Sequence, residues 1–321
     1  GEFHESQYEG TGTLYAGTEI LYQGGFQAGI YEGKGELYQD GELLYEGEFH
    51  EGQYEGKGSL YEQGKVIYEG EFKAGEYDGE GKLYQDEKPV YEGSFGKGLK
   101  EGEGTLYDPV TGMSIYEGNF VKDQYEGSGI LYDSKNGETL YEGTFTKGLY
   151  EGEGRLYDPE TKNLIYEGTF LKGKRAGDGK EYDPETKALI YEGSFREDLH
   201  DGDGTEYDKT GAKTYEGRFQ LGTYSGSGVL YDPATGKVLA EGEFRNGVLL
   251  TPKAELDAAK NPTEAETEAS GTEAGATESE SSSGAAAASE NPSGKQESAP
   301  EDTEQVPGRT KKTGIGPGYE D

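Results

Sequence analysis

Eight glutamates, Glu46, Glu69, Glu92, Glu117, Glu142, Glu167, Glu192 and Glu216, recur in one setting, each after a tyrosine and before a glycine. Carboxylates serve general acid–base catalysis, glycoside cleavage and cation binding. Acid–base work, however, needs two carboxyl groups in contrasting environments within a cleft. Eight copies of one setting offer identical groups instead. Such a ladder reads first as a solvated face, and next as a row whose repulsion is screened by lysine, counterions or divalent cations. Glu117, Glu142, Glu167 and Glu192, in the middle of the row, are the candidate binding carboxylates.

Other chemistry finds little support. Histidine occurs only as His4, His50 and His200, in unrelated slots, so neither a metal triad nor a Ser-His-Asp arrangement is suggested. Serine and lysine are dispersed, without a nucleophile elbow or a phosphate-binding loop. Gly-x-Gly, as in Gly33-Lys34-Gly35, sits inside predicted strands and precedes no helix. The stretches beginning Asp108-Pro109, Asp158-Pro159, Asp183-Pro184 and Asp232-Pro233 resemble calcium loops only superficially. An EF-hand spaces its ligands over about twelve residues and closes with a bidentate Glu; here Asp followed by Pro describes a type I turn. No catalytic residue, metal ligand or cofactor is therefore predicted, and no small-molecule substrate is evident.

The elements that must position these residues are set by a repeat. All eleven phenylalanines fall at intervals of 23, then 25, then 24 and 25 residues, from Phe3 to Phe244. Of 27 tyrosines, all but Tyr319 fill three slots, illustrated by Tyr116, Tyr125 and Tyr132 in YEGNFVKDQYEGSGILY. Each half of the unit alternates with period 2, which predicts strands. In Tyr45-Glu46-Gly47-Glu48-Phe49 the aromatics and glycine share one face and the glutamates the other. Each unit thus predicts a hairpin, with glycines giving neighbouring rings bare backbone to lie on. Segments such as His50-Glu51-Gly52-Gln53 predict turns.

Composition agrees. Apolar residues are 31% against 56 glycines, so a thin repetitive layer is expected in place of a large core. The net charge of -35 argues against nucleic acid, whose ligands carry a basic footprint. There is no cysteine, and no stretch is apolar enough to span a bilayer. Gly1-Glu2-Phe3 matches Gly47-Glu48-Phe49, so the chain is expected to begin inside a repeat, which leaves room for a signal peptide, an anchor or an upstream domain before it. Two units depart from the pattern: those containing Arg175 and His200 lack the second tyrosine and carry Glu181 and Glu206 in place of leucine. A softer joint, a specialised patch at 174–207 and relaxation along one exposed edge all fit; Arg175 and His200 join the candidate binding residues. Thr251 as cap and Pro252 at the first helical position predict a short capping helix at 251–260. The Glu-, Ser-, Ala- and Thr-rich tail at 261–321 is expected to be disordered.

The recurring Tyr-Glu-Gly-x-Phe followed by Tyr-Glu-Gly-x-Gly-x-Leu-Tyr resembles the MORN (membrane occupation and recognition nexus) repeat family over residues 1–250, about eleven units with the first and last incomplete. Ala240 in place of the first tyrosine and the two irregular units depart from it. The resemblance implies an all-β, elongated single-layer antiparallel ribbon of stacked hairpins. It also implies roles as scaffolds, dimerisation modules, membrane-contact tethers or phospholipid binders, and the acidic array with a polar tail looks similar to bacterial members. The reading that follows is a non-enzymatic scaffold for a protein partner or for another copy of itself. The alternative is a cell-envelope or membrane-surface protein that grips a polymer or lipid headgroups with bridging cations. No compartment is assigned, although envelope or extracellular is preferred to cytoplasmic.

Overall fold

The computed structural model describes residues 2–254 and residue 256. Twenty-two strands run from Glu2–His4 to Val248–Pro252, each paired antiparallel with its neighbour in sequence, and together they form one open sheet. At about 4.8 Å per strand the meander extends on the order of 100 Å. Each unit supplies a hairpin, such as Glu42–His50 with Gln53–Glu62, closed by Glu51 and Gly52 at φ +49° and +76°. Positive φ at both central residues marks a type I′ turn, whose twist matches that of the strands it joins.

A single sheet has no second layer to cover its apolar face, yet Tyr45 is fully buried. Its ring lies across Gly47 of its own strand and Gly58 of the next, and a methyl group on either glycine would sit 2.3 Å from the Tyr45 hydroxyl oxygen. That hydroxyl donates to the Glu48 carbonyl at 3.0 Å. Tyr54 stacks on the outer side of the ring at 3.9 Å, and Phe49 and Phe72 close its edges at 5.1 and 5.2 Å. Tyr22, Tyr68, Tyr116, Tyr141 and Tyr215 repeat the arrangement. Each buried aromatic side chain contributes about 1.5–3 kcal/mol. Their edge contacts add about 0.5–1.5 kcal/mol per pair. We call this aromatic face the front.

Units are stapled along both long edges. On the short-turn edge the Glu32 carboxylate accepts the N–H of Glu51, while the Tyr31 carbonyl accepts that of Gly52, both at 3.0 Å. Glu126 and Glu151 hold Lys147 and Lys172 in the same way at 2.9 Å. In these units the second glutamate therefore caps the turn of the following one. Between them a bulge at Gly56, φ +58°, lets Tyr54 pair back to Phe49 while Gly56 pairs forward to Phe72.

On the opposite edge the Asp-Pro segments form the expected turns. Asp108 Oδ1 accepts the N–H groups of Val110 and Thr111 at 2.9 and 2.7 Å. Asp183, only 5% exposed, also receives Lys209 Nζ from the next loop at 2.8 Å. That hydrogen bond, with the Thr186 N–H, lowers the Asp183 carboxyl to about 2. At the end of the array Thr251 and Pro252, expected as cap and first helical residue, close the last strand, and Lys253, Ala254 and Leu256 are helical. The remainder of the expected helix and the tail at 261–321 lie outside the described residues.

Two outcomes follow from this packing. Gly58→Asn must displace the Tyr45 ring and is expected to cost about 2–4 kcal/mol. Gly75→Asn, in an open turn at φ +81°, is expected to cost well under about 1 kcal/mol because asparagine tolerates that conformation. Urea midpoints of the two variants compare them directly. Asp183 is depressed in the folded protein, so its stabilisation is present above its unfolded value of about 4 and is lost as pH falls through about 2. The stability difference between wild type and Asp183→Asn should therefore be full at neutral pH and vanish near pH 2 in acid titrations of unfolding.

Candidate functional site

Strand register gathers the expected glutamates into one row across the back face. Glu117 lies between Thr105 and Ile130, Glu142 between Ile130 and Arg155, Glu167 between Arg155 and Lys180, and Glu192 between Lys180 and Thr205. The intervening cations temper the repulsion. Arg155 Nη1 stands 3.9 Å from Glu142 and its Nε 3.8 Å from Glu167, and Lys180 Nζ is 3.6 Å from Glu192. At such exposure each pair contributes about 0–1 kcal/mol. Third-slot tyrosines flank the row. Tyr132 donates to Glu117 at 3.2 Å and Tyr182 to Glu167 at 2.8 Å. Burial, followed by the bond to negative Glu167, pushes the Tyr182 phenol up to about 12.

A second back-face row carries Glu153 and Asp178, which accept hydrogen bonds from Thr169 at 2.8 Å and Ser194 at 2.9 Å. Between the rows runs a shallow groove of about 700 Å³. Its walls are Glu142, Arg155, Glu167, Lys180 and Glu192 on one side and Glu153 and Asp178 on the other. Its floor is the glycine column Gly143, Gly154, Gly168, Gly179 and Gly193. The same glycines that seat tyrosines on the front thus leave flat, unobstructed backbone behind. Among the described residues no group of three or more His, Asp or Glu is placed to hold a metal ion.

Arg175 and His200 do not join this groove. They occupy second-tyrosine slots on the front face, as the pairs Phe170 with Arg175 and Phe195 with His200 show. His200 stacks on Tyr191 at 3.5 Å with the rings 5° from parallel, as a tyrosine would. The Arg175 guanidinium lies 5.6 Å from the Tyr166 ring and 5.2 Å from that of Phe195. Glu181, in the leucine slot, joins them: its carboxylate meets Arg175 Nη1 at 2.9 Å and His200 Nε2 at 2.8 Å. Burial raises the Glu181 carboxyl, but the His200 hydrogen bond and the Arg175 charge outweigh it and hold the group below its usual value. The irregular units are therefore a satisfied polar substitute for the aromatic stack, coupling two units through one carboxylate. Glu206 is satisfied similarly, by Thr214 at 3.3 Å and Tyr224 at 3.2 Å.

Sequence reading missed a third such unit. Lys100 also fills a second-tyrosine slot, is 7% exposed and lies 5.6 Å from the Tyr91 ring. Its N–H donates to Asp123 Oδ1 at 2.9 Å, as Arg175 N–H donates to Asp198 at 2.9 Å. The available signal was the turn of the following unit. Asp123 and Asp198 stand where most turns carry glycine, and each appears only after a cation has replaced tyrosine.

The MORN repeat model matches residues 22–42, 45–64, 68–86, 91–110, 116–138, 141–160, 166–185, 191–213 and 215–234, more than half of the chain. No individual curated protein matches it. MORN repeats are non-catalytic and are associated with protein or membrane-lipid interactions. The matched segments contain the hairpins, the glycine column and the tyrosine rows described above, and the chain belongs to the MORN repeat family as a repeat-type binding scaffold.

Proposed function

We propose that the array is a non-enzymatic scaffold that binds protein along its back face, gripping an extended segment that carries basic side chains. The observation that carries this reading is the glycine-floored groove between Glu142 and Glu192. The front face is filled by its own aromatics, with first-slot tyrosines fully buried, so rings are not free to serve as a stacking platform. The back-face carboxylates repeat one environment, which lacks the contrasting pair that proton transfer requires.

The spacing favours a particular backbone. Carboxylates on one wall recur every second strand, about 9.6 Å. Three residues of polyproline II helix advance about 9.3 Å. A segment with Lys or Arg at every third position would keep its cations in register with Glu142, Glu167 and Glu192, while its backbone rests on the glycine floor.

A fluorescein-labelled (Lys-Pro-Pro) repeat peptide titrated with the full chain tests this by anisotropy. Saturable binding is expected, weakened at least about tenfold by Glu142→Gln/Glu167→Gln/Glu192→Gln, since each charge-assisted contact contributes roughly 0.5–1 kcal/mol at an exposed surface. Glu5→Gln/Glu19→Gln, far from the groove, should leave the affinity unchanged. Binding that ignores the triple substitution contradicts the assignment.

A further inference from the structure

The short-turn edge holds a feature that the groove does not use. In an acidic array, four consecutive units carry lysine at the first position of the two-residue turn: Lys97, Lys122, Lys147 and Lys172, at φ between +51° and +53°. The same position holds Glu51 and Ala74 before this run and Glu197 and Leu221 after it. All four lysines are exposed, and among the described residues none of their ammonium groups makes an ion pair or hydrogen bond. Their turns are fixed, because the N–H groups of Lys122, Lys147 and Lys172 donate to Glu101, Glu126 and Glu151 at 3.1, 2.9 and 2.9 Å. Exposed aliphatics lie beside them: Val121 at 42%, Leu149 at 42% and Leu171 at 53%. The edge is a rigid row of cations and apolar contacts.

Each lysine follows a row glutamate by five residues, as Lys147 follows Glu142, so both rows have the same 25-residue period. Five residues of strand span roughly 16 Å, too far for the two to pair within one copy. Between copies, seating one lysine on one glutamate brings the next pairs into step. The two rows are opposite in charge, and Glu142 and Glu192 are about half exposed, at 49% and 51%.

We propose that a second copy of this chain docks its lysine-tipped edge on the back-face glutamate row of the first. The proposal rests on the back face being the binding surface. The net charge of -35 opposes approach at long range. At about 0.15 M ionic strength, where the Debye length is about 8 Å, that repulsion is screened while direct contacts survive. The aliphatics on the edge add burial that salt does not weaken.

Sedimentation velocity of the full chain at that ionic strength tests it with two charge-swapped variants. One is Lys122→Glu/Lys147→Glu/Lys172→Glu, which the fold accommodates because Glu51 and Glu197 already occupy that turn position at φ +49°. The other is Glu142→Lys/Glu167→Lys/Glu192→Lys. Wild type is expected to associate with rising concentration, each variant alone at least about tenfold more weakly, and an equimolar mixture to regain the association, because swapped edge and swapped face then meet. A wild type that stays monomeric, a lysine variant that associates like wild type, or a mixture that fails to recover overturns the proposal. So does lysine-dependent binding of phosphatidylserine vesicles by a chain that stays monomeric, which would assign the edge to a lipid surface. The lysine variant keeps its groove, so it should still bind the Lys-Pro-Pro peptide. A wild type that binds the peptide yet stays monomeric removes this proposal alone; a glutamate variant that keeps the peptide removes the back-face reading with it.

Discussion

A tyrosine ring lying flat across two glycines, one on its own strand and one on the next, is the contact on which the rest of the array depends. A lone sheet would normally leave its apolar face in water, since domains bury such faces between layers. Here the glycines remove two side chains from the face, and the ring fills their space as a substitute second layer. The hydroxyl at the ring's tip is satisfied by a carbonyl three residues on, as Tyr141 shows with Thr144 at 3.1 Å. A second tyrosine and two phenylalanines then complete a cell that the next unit repeats. Each cell borrows one phenylalanine from its neighbour, so stability is shared between adjacent units, as in other quasi-one-dimensional repeats.

That dependence explains which positions vary. The first tyrosine, from Tyr22 to Tyr215, keeps its place in every internal unit and gives way only to Ala240, in the final one. The second tyrosine covers the outer side of the ring, and a flat or extended cation can do the same. Arg175 and His200 therefore appear there paired with Asp198 and Glu181, and Lys100 appears there with its backbone N–H held by Asp123. Breaking one partner of such a half-buried pair costs more than the pair itself contributes. This packing occupies the front, and the glycines that it requires line the floor of the groove on the back.

Much of this was legible in the residues. Period-2 alternation in Tyr45-Glu46-Gly47-Glu48-Phe49 assigned the faces, and Glu-Gly between two strands announced the turn at 51–52. The single file of Glu117, Glu142, Glu167 and Glu192 followed from their common slot. What could not be read depends on contacts between units. Glu32 looks like one more ladder carboxylate until its bond to the turn at Glu51, nineteen residues away, is seen. Arg175 and His200 stand out in the sequence because their units break the repeat, and strand parity places them on the face opposite the glutamate row. Lys100 was overlooked because its unit keeps every other signature residue, and its compensation lies at Asp123, in the next repeat.

The most direct test is a spectrophotometric titration of tyrosine ionisation, followed together with far-ultraviolet circular dichroism. Burial, then the neighbouring ring, raises first-slot phenols such as Tyr45 far above their ordinary value of 10.0, and burial pushes Tyr54 up to about 12. Groups raised in this way stabilise the fold below about pH 10 and lose that contribution as pH climbs through their folded values. Ionisation of the few exposed tyrosines should leave the sheet intact. The rest should ionise only in a cooperative step that coincides with loss of the β signal. A single smooth titration of every tyrosine near 10, with the sheet still folded, would contradict the seating of rings on glycine.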